Sequence, residues 1–351
     1  MSKLKVERAP APVWMRTLIP LIAIPVTFLI TSIIILLDGA NPLTAYYHFL
    51  ISPLAGKASA IEVLVKSTPL MLTGAAVAFA FNSGYWNIGA EGQLYAGAIA
   101  AAWLGMILDG VQPILGIPLM VLGGFAAGML WAFPSAILKV KLGVDEVVTT
   151  LLMNSIVLNV TSFLLNGPWR DPVSMWPQSP EIAAGTTFFK LIPRSRLHFG
   201  FILAIVILLI SWFVIKRTSF GLKMRAIGMS REAAHFAGIK VNKTMLTVAL
   251  VSGGIAGLAG AGEVAGIHFH LIDAISDGLG YTGIIIATLG GLHPFGVGLA
   301  ALFLGLIDTG AQTVSRAMGV PVYLGDVVQS TLLLVTLSLF VLQNYRIRRV
   351  K

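Results

Sequence analysis

The feature that most constrains this chain is a succession of ten apolar runs, at about 18–37, 64–82, 93–108, 114–138, 147–165, 200–215, 244–263, 281–292, 296–315 and 327–343. A bilayer's hydrocarbon core is about 30 Å thick, which takes about 20 residues of helix to cross, and no water within it bonds an unpaired backbone. The sequence therefore predicts an all-α integral membrane protein of about ten transmembrane helices. It forms a single transmembrane domain over 1–351. The first run is too long for the hydrophobic part of a cleaved signal and reads as an uncleaved span. Near 290–298 Gly and Pro interrupt the apolar pattern, which leaves open a broken helix or two spans.

Charge orients the array. The 24 Lys and Arg give a net charge of +9, and they concentrate between spans rather than on a soluble face, which excludes a nucleic-acid-binding domain. With ten spans and a cytoplasmic N-terminus, 17 of the 24 fall on inner segments, the asymmetry of the positive-inside rule. Both termini are then cytoplasmic. The predicted divisions are a cytoplasmic N-terminal segment 1–17, an outer loop 166–199, a cytoplasmic loop 216–243 and a cytoplasmic tail 344–351. The outer loop holds Trp169, Trp176 and five prolines, so it is expected to be ordered against the outer mouth.

Chemistry is sparse. The chain has no cysteine, hence no disulfide, thiolate metal site or cysteine nucleophile. His268 and His270, followed by Asp273 and Asp277, show no recognised metal spacing, and solvated loop residues are the simpler reading. Ser252-Gly253-Gly254 has a superficial likeness to an ATPase signature but lies in an apolar span, and no GxxxxGK[ST] phosphate loop occurs. Gly123, Gly124 and Gly128 in one span, and Gly253, Gly254, Gly257 and Gly260 in another, are expected to let helix backbones touch.

Two segments stand apart. In 216–243, Ser230 can cap a short helix, Glu232 opposes the helix dipole in its first turn, and Gly238 can close it in the left-handed conformation. Ala233, Ala234 and Ala237 leave one side bare, so another protein could approach closely beside Arg231, Glu232 and His235. The residues alone leave open docking or lying at the membrane interface. In 81–97, Asn82, Asn87, Glu91 and Gln93 lie between two apolar runs with Gly84, Gly89 and Gly92. Two readings stay open here, unwound backbone lining a wet cavity or a tight cytoplasmic turn with Glu91 solvated.

Three motifs, taken together and in order over about 61–298, carry a resemblance. They are Asn87-Ile88-Gly89-Ala90-Glu91-Gly92-Gln93; Gly221, Arg225-Ala226-Ile227-Gly228, Ala233-Ala234 and Gly238-Ile239; and Gly280-Tyr281-Thr282-Gly283-Ile284 leading to Leu289-Gly290-Gly291 before Pro294. Jointly they resemble the permease subunits of bacterial nucleoside and simple-sugar ABC importers, which group with the ribose and branched-chain amino-acid permeases. Trp86 stands where that family's pattern has Phe. The resemblance implies an inverted-repeat permease fold in the bacterial cytoplasmic membrane. It also implies a separate ATPase subunit that carries ATP and Mg, a second and different permease subunit, and a substrate-binding protein or lipoprotein outside. This chain would bind no cofactor and catalyse nothing. Gly221, Arg225, Gly228, Arg231, Glu232, Ala233, Ala234 and Gly238 would form the coupling surface for the ATPase.

The implied substrate is a nucleoside, with simple sugars as the alternative. A base can stack on aromatic rings while amides bond its edges and the ribose hydroxyls, so Phe81, Asn82, Trp86, Asn87, Glu91, Gln93, Asp308 and Gln312 are the expected pathway residues. An ion-coupled secondary transporter would instead use a carboxylate deep in the bundle, Asp308 first and Glu263 next. That reading gives the capped helix of 216–243 no role.

Overall fold

The computed structural model describes the backbone of residues 3–8 and 13–350, and side chains of residues 22–336, 338 and 339. Residues 1–2 and 9–12 of the N-terminal segment and Lys351 of the tail lie outside the described residues. The helices in order are α1 (Val13–Leu37), α2 (Pro42–Leu50), α3 (Ser52–Ala55), α4 (Lys57–Phe81), α5 (Ala90–Ile107), α6 (Pro113–Leu142), α7 (Glu146–Asn166), α8 (Gly200–Arg217), α9 (Ser219–Met229), α10 (Arg231–Phe236), α11 (Val241–Glu263), α12 (Leu279–Leu289), α13 (Pro294–Met318) and α14 (Leu324–Asn344). Each of the ten apolar runs falls on one of these helices. The interruption at 290–298 resolves as two helices joined by a turn with Gly291 and Leu292 at positive φ.

Among the described residues six helices are long and apolar enough to cross a membrane: α4, α6, α7, α8, α13, and α11 with the π-helical turn Val264–His268 that extends it. Among the described residues Ile22–Leu37, α12 and Leu324–Thr336 are shorter apolar helices. α5 carries Glu91 and Gln93 in its first turn. Two short strands, Lys3–Arg8 (β1) and Tyr345–Val350 (β2), pair antiparallel with Lys3 opposite Val350. Residues 3–8 and 345–350 therefore lie on one side of the bundle, as two cytoplasmic ends would, though the sequence reading foresaw no strand in either.

The core is organised around α4 and α11, whose apolar stretches are 89% and 78% buried. A helix apolar all round has no polar face to give to solvent and goes to the centre. α4 packs against α11, α12 and α13, and α11 packs against α4, α5 and α6. The two occupy equivalent places in a matched arrangement. By contrast α6, α7 and α8 bury less than a third of theirs and form the outer wall. A smaller core of Ile35, Phe49, Ile307 and Val314 joins α1 and α2 to α13.

Glycine sets the closest contact, as expected. A Cβ added at Gly128 would lie 2.2 Å from the Gly253 carbonyl oxygen, and one at Gly257 2.2 Å from that of Gly124, so α6 and α11 meet backbone to backbone. Packing is what joins helices in lipid, where apolar burial gives no net drive. Gly128→Leu should therefore abolish the yield of monodisperse, detergent-extracted protein. Gly262→Ala should not, because nothing lies within 4 Å of the added carbon.

The 166–199 loop is ordered. Ser179 N, Ile182 N and Phe188 N donate to the carbonyls of Leu271, Phe269 and Ala265, and Ala183 N donates to that of Gly105. Arg196 forms an ion pair with Glu62 at the start of α4. At the loop's end His198 is buried, its Nδ1 accepting from Gly200 N at 3.0 Å, and burial pushes its pKa down to about 4. The folded loop keeps this ring neutral. As pH falls from about 6.5 towards 4, only the unfolded state takes the proton, which costs up to about 1.4 kcal/mol per pH unit. Proteolysis within 166–199 should accelerate between pH 7 and 5, and His198→Gln should flatten that dependence.

Candidate functional site: a buried amide knot, an ionic node and an exposed apolar surface

α4 ends at Phe81 and the chain runs through a turn, with Gly84 at φ +71, into α5. Asn87 is fully buried there. Its Nδ2 donates to Gln93 Oε1 (2.8 Å) and Ser252 Oγ (2.9 Å), and its Oδ1 accepts from Gln93 Nε2 and Gly89 N (3.0 Å each). Ser252 Oγ in turn donates to the Ala76 carbonyl at 2.7 Å. One side-chain amide thus joins α4, α5 and α11 with its hydrogen-bonding capacity filled.

The neighbouring residues extend the knot. Asn154 of α7 accepts from Gly92 N (2.9 Å) and donates to the Ile88 carbonyl and the Tyr281 hydroxyl (3.1 Å each). Glu91 is 3% exposed and its carboxylate receives Gly278 N (3.2 Å) and Gly280 N (2.7 Å) at the start of α12, where the helix dipole favours negative charge. This corrects the solvated-turn alternative for Glu91. A Cβ at Gly280 would lie 2.2 Å from Glu91 N, which explains why two of the sequence motifs meet here. Breaking one such buried bond leaves a partner unsatisfied at a cost of about 1–3 kcal/mol.

Next to the knot is an ionic node. Glu146, whose side chain is 4% exposed, pairs with Lys139 of α6 and lies 3.7 Å from Arg231 of α10. Its Oε1 accepts from Trp86 N at 3.4 Å, and Arg231 Nη2 donates to the Gly84 carbonyl at 3.0 Å. The short helix of 216–243 is thereby tied to the turn before α5 and to the starting end of α7.

That helix has the ends read from its sequence. Ser230 Oγ accepts from Ala233 N (3.2 Å), Glu232 stands in the first turn, and Gly238 has φ +80. The face differs. Ala234 is 3% exposed and packs into this chain's own core, so it is not the bare surface expected of it. Gly221 is buried against the carbonyls of Val214 and Ile215, and Gly228 sits against that of Asn82. Glu232, Ala233 and Gly238 face outward, and Arg225 is half-buried. Within 216–243 the most exposed large apolar side chains are Leu222 (61%), Met229 (89%) and Phe236 (96%). They recur every seven residues, a spacing visible in the sequence and not used there.

The expected pathway residues are only partly brought together: Phe81, Asn82, Trp86, Asn87, Glu91 and Gln93 lie around the turn before α5, and Asp308 and Gln312 lie apart from them on α13. Phe81 and Trp86 stack with ring centroids 4.6 Å apart, and Asn82 Nδ2 ties the Ala78 and Leu292 carbonyls. Asp308 instead bonds Lys66, 15 residues and therefore about 22 Å along α4 from Phe81. Gln312 lies one turn from Asp308 on α13. Glu263 lies 3.6 Å from His268. Among the described residues no group of three or more His, Asp or Glu could hold a metal ion.

Comparison with known proteins places this architecture. Residues 59–337 match the family described as the permease component of the branched-chain amino acid transport system, and the chain belongs to that family. It is 36% identical to the guanosine ABC transporter permease protein NupP of Bacillus subtilis, over 94% of each chain. It is 32% identical to the nucleoside ABC transporter permease protein NupB of Lactococcus lactis, over 93% of this chain and 92% of that one. The glucose ABC transporter permease protein TsgB13 of Haloferax volcanii is 30% identical over 97% and 92%. No solved structure matches. The protein is thus a multi-pass membrane permease of that family.

Proposed function

We propose that this chain is the membrane-spanning permease subunit of an ATP-driven importer that moves nucleosides delivered by an extracytoplasmic binding protein. The observation that carries the substrate class is the likeness to NupP over 94% of both chains. Glucose is the second reading, on the likeness to TsgB13. ATP and Mg belong on a separate ATPase subunit, since the sequence has no phosphate loop.

Ten crossings put both termini and 216–243 in the bacterial cytoplasm, and the β1–β2 pairing supports an even number of crossings. The equivalent places of α4 and α11 support two inverted repeats, α4–α7 and α11–α14, rocking about their interface. On α7, Ser155, Asn159 and Asn166 are exposed beside Leu152 and Phe163. Amides facing hydrocarbon are costly, so this face takes a second, different permease subunit. The binding protein docks on the 166–199 side.

Uptake of labelled guanosine, uridine, ribose and glucose in cells with and without the permease tests the substrate. Permease-dependent nucleoside uptake is expected, with glucose neither taken up nor competing. Selective glucose uptake would move the assignment to the sugar branch.

A further inference from the structure

Lys66 and Asp308 meet between α4 and α13. Lys66 Nζ donates to Asp308 Oδ2 at 2.8 Å. Lys66 lies nine residues, about 14 Å, from the Lys57 end of α4, and Asp308 ten residues, about 15 Å, from the Met318 end of α13. The pair therefore lies inside the apolar span but towards its 166–199 end, one turn below the Glu62–Arg196 ion pair. One turn away, a Cβ added at Gly305 would lie 2.2 Å from Ser67 Oγ. The two helices touch there and fix the geometry of the pair.

This pair is not sealed. The Asp308 side chain is 41% exposed, against 16% for Lys66. At about 100° per residue, Asp308 points about 140–180° round α13 from the exposed apolar Phe295 and Leu299. It opens on the side of α13 away from that apolar stripe. A carboxylate turned to hydrocarbon would cost about 2.5–3.5 kcal/mol or more. Lys66 occupies Oδ2, while among the described residues no group bonds Oδ1 or the Gln312 side-chain amide one turn outward.

A carboxylate held by a lysine with one oxygen free, beside an amide that both donates and accepts, fits vicinal hydroxyls. The two O–H groups of a diol donate to the carboxylate, and the amide serves their lone pairs. Lys66 offsets the Asp308 charge and Asp326 of α14 adds a second carboxylate in range, so the site takes neutral hydroxyls rather than an anion. We propose that Asp308, oriented by Lys66 and joined by Gln312, is a hydroxyl-binding subsite in the translocation path that takes the ribose diol of the nucleoside. This rests on the nucleoside reading above.

Because the chain has no cysteine, Asp308→Cys and Gln312→Cys each introduce a single thiol, and the second leaves the ion pair intact. In membranes holding permease, ATPase and binding protein, a water-soluble methanethiosulfonate should modify both, and guanosine should slow each reaction at least about fivefold. Asp308→Asn should raise the KM for guanosine about tenfold in a complex that still assembles. Thiols that stay unmodified or unprotected, or wild-type kinetics in Asp308→Asn, would overturn the subsite while guanosine import kept the substrate reading. Protection by glucose, in a system importing glucose and not guanosine, would overturn the substrate reading and keep a hydroxyl subsite.

Discussion

Glu146→Ala should cut import at least about a hundredfold while the complex still assembles and hydrolyses ATP. The carboxylate is almost wholly buried between Lys139 and Arg231 and accepts from Trp86 N. Removing it leaves the partly buried Lys139 ammonium without its partner, at a cost below the roughly 3–5 kcal/mol of a fully sealed pair. It also unties α10 from the start of α7 and from the turn before α5. In this account α10 is the part that the ATPase moves, so hydrolysis would continue without moving the bundle. Glu146→Gln keeps an acceptor for Trp86 N and should fall between. The check is the ratio of transport to ATP hydrolysis in the purified complex, and an unchanged ratio in Glu146→Ala would mean that force passes elsewhere.

Phe236→Glu should separate the permease from its ATPase. Phe236 and Met229 are 96% and 89% exposed, so a polar replacement removes almost nothing from this chain's own packing. Large apolar side chains at the centre of an interface typically carry about 2 kcal/mol or more, roughly 30-fold in affinity. Co-purification of the ATPase should fall by at least that factor, with the permease's yield and thermal stability unchanged. Ala234 responds differently. A bulky charged side chain there should lower the permease's own stability, because the methyl group it replaces faces inward.

Much of the fold was legible because lipid imposes a simple rule. A chain that must pair every backbone group within a span writes its helices as apolar runs, and all ten runs correspond to helices. The ends of α10 were equally legible, since Ser230 and Glu232 act in its first turn and Gly238 acts just past its last. Facing was not. On a helix of six residues, small side chains at 233, 234 and 237 fit either contact with a partner or burial, and only the surrounding elements decide. The amide knot shows the same limit. Asn87 and Gln93 looked like a polar path, yet their partners include Ser252, 165 residues from Asn87, a residue whose sequence context carried only a false likeness to an ATPase signature. Lys66 drew no notice in an apolar span, because its partner lies 242 residues away. The short helix α2 and the β1–β2 pairing also went unforeseen, though β1 alternates apolar Leu4 and Val6 with charged neighbours.

The central claim is that ATP hydrolysis by a partner drives nucleoside import through this chain. Its most direct test is guanosine uptake into proteoliposomes holding the permease pair and ATPase, with binding protein on the outer face and ATP inside. Uptake should require internal ATP, stop with vanadate, and persist when ionophores collapse the proton and sodium gradients. Uptake that continues without ATP and follows an imposed ion gradient would contradict the account.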